Sequence, residues 1–67
     1  MFHEFDVVKL KKAIPSKKLE AGTHGTILLI YMRANSPNNY EVEFVDSQGN
    51  TLSIATVEEE DIELLLV

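Results

Sequence analysis

Apolar and polar residues alternate with a period of two along most of this chain, the spacing of half-buried β-strands rather than of helices. Phe5-Asp6-Val7-Val8-Lys9-Leu10-Lys11 reads as a first strand with Val8 and Leu10 turned inward. Residues 26–32, Thr-Ile-Leu-Leu-Ile-Tyr-Met, form a continuous β-branched and aliphatic run. Such a run suits a strand buried on both faces, or one that bends between two layers. Within it Leu28 and Ile30 are expected to point in, and Leu29 and Tyr31 out. Residues 40–45 alternate strictly, placing Tyr40, Val42 and Phe44 inside and Glu41 and Glu43 in water. Residues 51–56 predict a fourth strand with Leu52 and Ile54 inward. Residues 62–67 predict a fifth, with Ile62, Leu64 and Leu66 on the inner side and Leu65 and Val67 on the outer.

The punctuation between these runs fixes their order. Pro15 has no N–H to give a ladder, so residues 14–25 become a long polar loop anchored by Ile14 and Leu19. Its Gly22-Thr23-His24-Gly25 end suits a sharp reversal, because glycine reaches positive φ without steric cost. Residues 33–39 are a loop by composition, and Asp46-Ser47-Gln48-Gly49-Asn50 is a hairpin turn. Val57-Glu58-Glu59-Glu60-Asp61 is too short for a stable helix and predicts a single 3₁₀ turn before the last strand. No segment has the helical period that would cover an open sheet. The expectation is one all-β domain over residues 1–67, a five-stranded SH3-like barrel whose closure removes its strand edges.

Charge adds a second pattern. Residues 1–33 hold all six basic residues against three acids, a balance of +3, whereas residues 34–67 hold eight acids and no base. The net charge of −5 therefore conceals two oppositely charged halves. A chain of 67 residues buries a small core, and domains this size usually lean on a disulfide, a metal or a partner chain. Cysteine is absent, and His3 and His24 make no zinc site without thiolates, so neither a metal nor a cofactor is expected. No apolar run nears the ~20 residues of a membrane span, and the first residues lack a signal-peptide pattern. A soluble cytoplasmic protein is expected.

The order of four motifs carries a resemblance. Phe5-Asp6-Val7-Val8-Lys9-Leu10, then Leu19-x-x-Gly22-x-x-Gly25-Thr26-Ile27, then Tyr40-Glu41-Val42-Glu43-Phe44, then Asp61-Ile62-Glu63 resembles a small bacterial family known as a domain of unknown function. The likeness spans nearly the whole chain. It implies an SH3-like barrel, similar to the small barrels of ribosomal and transcription proteins, in the bacterial cytoplasm. It also implies toxin-like gene neighbours, and with them an antitoxin-like or accessory-subunit role. Leu29 and Leu65 depart from the pattern, standing where a charged or polar strand residue is expected.

The candidate chemistry favours binding over catalysis. Glu58, Glu59, Glu60 and Asp61 form a run rather than two carboxylates facing each other across a cleft. Gly22-x-x-Gly25 matches neither a dinucleotide nor a phosphate-loop fingerprint. Phe5, Leu29, Tyr31, Leu65 and Val67 are the apolar residues left outside a small barrel, and contiguous exposed apolar surface marks an interface with a protein partner or a second copy. The Glu58–Asp61 run, with Glu41 and Glu43, would steer a basic protein toward it. The alternative is nucleic acid, with Lys9, Lys11, Lys12, Lys17 and Lys18 on phosphates. Against it stand the acidic balance, the inward parity of Tyr40 and Phe44, and the expected pairing of Lys9 and Lys11 with the acidic last strand.

Overall fold

A computed structural model describes residues 1–66 and contains five strands: β1 (Val7–Leu10), β2 (His24–Tyr31), β3 (Asn39–Val45), β4 (Thr51–Glu58) and β5 (Ile62–Leu64). Two 3₁₀ turns interrupt them, Pro15–Lys17 in the long loop and Glu59–Asp61 between β4 and β5. The strands form one antiparallel sheet in the order β4-β3-β2-β1-β5. The fold is therefore all-β, as the alternation predicts. Closure is not observed: among the described residues β4 pairs only with β3, β5 pairs only with β1, and the sheet stays open between them.

One face of the sheet carries the core. Val8, Leu10, Leu19, Ile27, Tyr40, Val42, Phe44, Ala55, Val57 and Ile62 are buried there, with Phe2, Ile14 and Ile30 packed against them. The strict alternation of β3 explains its three core residues directly. Leu19 reaches the core because Ile14 and Leu19 bridge the base of the long loop. Gly22 takes a φ of +89° at the loop's end, the reversal that its position suggests.

Two inserted residues overturn the expected parity elsewhere. In β2, Ile27 pairs with Val42 and Leu29 with Glu41, so Leu28 is an extra residue with no partner. This β-bulge puts Ile27 and Ile30 on the core side, where simple alternation had put Leu28 and Ile30. In β4, Phe44 pairs with Ser53 and Val45 with Thr51, which leaves Leu52 as a second bulge. Ala55 and Val57 then face the core, and Leu52 and Ile54, expected inside, are half-exposed. Val57 accordingly belongs to β4 and not to the 3₁₀ turn.

The last strand is shorter than expected. Ile62 is buried opposite Leu10, but Leu64 and Leu66 are exposed rather than internal. β1 is only four residues long, and beyond Val7, whose carbonyl accepts the Leu65 N–H, the chain turns away over residues 3–6. A strand end with so little beside it has nothing to bury its side chains against. Val67 lies outside the described residues.

The hairpin between β3 and β4 is locked by one side chain. The Asp46 carboxylate accepts the backbone N–H groups of Gln48 and Asn50, each at 2.9 Å, and the Asn50 amide at 3.2 Å. The Asn50 N–H is the main cause holding the Asp46 carboxyl below its ordinary range.

Gly25 is the glycine the packing requires. A Cβ there would lie 2.6 Å from Val42 Cγ1 and 2.9 Å from Phe44 Cδ1, in the tightest part of the core. Gly25→Ala should destabilise the fold by about 1–3 kcal/mol, the usual penalty of overpacking. Urea unfolding followed by circular dichroism checks it, and an unchanged midpoint would mean that β2 and β3 are further apart than described.

Candidate protein-binding face

The bulges that set the core also set the opposite face. With Leu28 and Leu52 as extra residues, Thr26, Leu29 and Tyr31 of β2 lie on the outer side with Glu41 and Glu43 of β3 and Ile54 and Thr56 of β4. Ladder partners place Leu29 beside Glu41 and Thr56, and Ile54 beside Glu43 and Thr26. Val7 continues that second row on β1. Leu29 is 48% exposed, Tyr31 44% and Ile54 50%, so the outer face of the β2–β4 half is apolar side chains set among carboxylates. The carboxylates are held in place: Thr56 donates to Glu41 at 2.9 Å, and Thr51 donates to Glu43.

Of the predicted interface residues, Leu29 and Tyr31 lie on this face. Leu65 is half-buried beside β1, its N–H donating to the Val7 carbonyl at 2.9 Å. Phe5 is 71% exposed in the turn over residues 3–6. Its φ of 68° is rare for a bulky residue, and two backbone bonds beside it resist relaxation: Phe5 N–H to the Ile27 carbonyl and Ile27 N–H to the Asp6 carbonyl. Ile54 lies on this face, opposite to the side its alternation predicts, because the bulge at Leu52 shifts the parity of β4. The only warning in the sequence was that Ala55 and Val57 satisfy the same alternation one residue out of step.

The acidic run divides into two kinds of carboxylate. Asp61 accepts the Glu58 N–H at 2.9 Å and the Lys12 ammonium at 3.1 Å, closing the 3₁₀ turn. Glu59 accepts the Tyr40 hydroxyl at 2.6 Å and lies 3.9 Å from the Met1 amine. Glu58 and Glu60 remain exposed surface charges. Phe2 stacks edge-on against the Tyr40 ring at 5.4 Å, completing a lid over that end of the core.

The lysines are not gathered on one surface. Lys9 sits opposite Glu63 on β5 and His24 on β2, while the Lys11 N–H donates to the Asp61 carbonyl. Lys12 is ion-paired with Asp61, and the resulting hydrogen bond raises its pKa. Lys17 and Lys18 belong to the separate loop turn, Lys18 next to an open cleft of about 460 Å³ that Glu20, His24 and Asp46 also line. Each of the first three lysines thus has acidic chain close by, as expected for strands that pair the two charged halves.

A family model covers nearly all of this sheet. The chain belongs to DUF4926, a domain of unknown function. The match runs over residues 4–64, from the turn before β1 to the last residue of β5. No curated protein and no solved structure matches the chain. Among the described residues no helix is long and apolar enough to cross a membrane, and no three His, Asp or Glu are grouped as a metal site.

The Tyr40–Glu59 bond gives this DUF4926 chain a pH-dependent clasp. Burial first, and the bond to Glu59 second, raise the Tyr40 pKa above its ordinary 10.0. A raised folded pKa means that the stabilisation is complete below about pH 10 and is lost as pH climbs through the folded value. Tyr40→Phe should cost about 1–2 kcal/mol at neutral pH and flatten the alkaline limb of the stability curve. Urea midpoints of both proteins across the alkaline range check it; parallel limbs would show that Tyr40 does not carry the dependence.

Proposed function

We propose that this DUF4926 domain is a non-enzymatic binding module that docks a basic protein partner on the outer face of β2, β3 and β4. The observation that carries the reading is the interleaving of half-exposed Leu29, Tyr31 and Ile54 with Glu41 and Glu43 in one ladder. Apolar surface supplies the adhesion, and the carboxylates select a cationic partner and speed its approach. Exposed Glu58 and Glu60 at the end of β4 extend the same negative field.

The strand order β4-β3-β2-β1-β5, the long loop after β1 and the 3₁₀ turn before β5 support an SH3-like small barrel left unclosed at β4 and β5. A bacterial cytoplasmic setting and an antitoxin-like or accessory role follow from the family resemblance. The nucleic-acid alternative loses its main support with the lysines divided between β5 partners and the loop turn.

Leu29→Ser with Tyr31→Ser should leave the fold intact, because neither residue is in the core. Immobilised wild-type protein incubated with extract of its source cells should retain a basic protein that the double variant does not, and retention should fall as salt rises. Equal retention by both proteins, or retention abolished by nuclease, would remove this reading.

A further inference from the structure

The β4 edge is unguarded. Natural sheets protect exposed edges with charge, proline, shortness or cover, because unpaired N–H and C=O groups recruit other strands. At the β5 edge the strand is three residues long and carries Glu63. At the other, β4 runs eight residues, about 27 Å of chain, and pairs on one side only. From Thr51 to Val57 it contains no charge, no proline and no glycine, and Leu52 and Ile54 are half-exposed along it. Among the described residues, no backbone bond outside the β3 ladder reaches these seven. The bulge at Leu52 interrupts only the start of the strand.

We propose that two copies of this chain join through β4, antiparallel about a two-fold axis beside Ile54, into one continuous ten-stranded sheet. Charge selects this geometry over stacking of the outer faces. Face-to-face packing would press Glu41 and Glu43 against their own copies, whereas edge pairing sets Ile54 against Ile54 and Ser53 against Ala55. Glu58, the one charge on β4, lies at the opposite end of the paired strands from its own copy, so no carboxylate of one β4 faces a carboxylate of the other. Two-fold self-pairing also suits a uniform uncharged strand, since the same patch serves both subunits. A core of ten buried residues and no disulfide gives the chain reason to gain stability from its twin. The dimer stands independently of the partner reading, although it would bring the Leu29–Tyr31–Ile54 surfaces of both copies onto one face of one sheet.

Light scattering after size exclusion, over a concentration series, tests the edge. Wild type should give twice the chain mass, and Ile54→Lys and Thr56→Lys should each halve it with an unchanged circular dichroism spectrum, since both side chains are exposed. Leu29→Ser, on the face but off the edge, should remain dimeric even where it loses the partner, so the two proposals fail separately. A wild-type monomer at every concentration would overturn the edge dimer. So would a dimer that survives both lysine variants, or one that Leu29→Ser alone abolishes.

Discussion

The period-two alternation of a strand assigns every side chain to one of two faces, and a single extra residue reverses the assignment from that point on. Leu28 and Leu52 are such residues, and the rest of the molecule follows from where they fall. Leu28 brings both Ile27 and Ile30 onto the face where Tyr40, Val42 and Phe44 already point. Leu52 turns the small side chains Ser53 and Ala55 inward opposite Phe44 and Val42, where the core has least room. What the bulges exclude from the core becomes the outer face, with Leu29, Tyr31 and Ile54 among carboxylates.

The two charged halves of the chain meet in the ladder rather than pointing at separate ligands. β1 carries Lys9 against Glu63 on β5, and Lys12 closes on Asp61 just before it. This leaves the β3–β4 side with Glu41, Glu43 and Glu58 and no cation in its sequence. Cross-strand pairs of this kind contribute roughly 0.2–1 kcal/mol each, too little to hold the fold alone but enough to favour the β1–β5 register. The same sorting makes one end of the sheet electrically quiet and the other negative.

Much of this was legible in the sequence. Five strands, their order of turns, the core residues of β1 and β3, and the 3₁₀ turn before β5 all follow from alternation, proline and glycine. The bulges were not legible, because Leu52-Ser53-Ile54-Ala55-Thr56-Val57 satisfies both parities and only pairing with β3 chooses between them. Alternation counted from Leu52 puts Ile54 inside, whereas the pairing of Ser53 with Phe44 and Ala55 with Val42 puts it outside. Closure was likewise beyond local pattern, since whether β4 meets β5 depends on sheet curvature, a property of the whole ladder. The exposed Phe5 with positive φ was hidden for a similar reason, being fixed by bonds to Ile27 far along the chain.

On this open sheet β4 is a free edge, paired with β3 alone among the described residues. Amide hydrogen exchange resolved residue by residue along β4, in dilute and in concentrated protein, reads that edge. In dilute protein alternate amides between Thr51 and Glu58, those facing away from β3, should exchange rapidly, and they should become protected as concentration rises. Uniform slow exchange along β4 at every concentration would contradict a free edge, and would mean that the strand is already paired within its own chain.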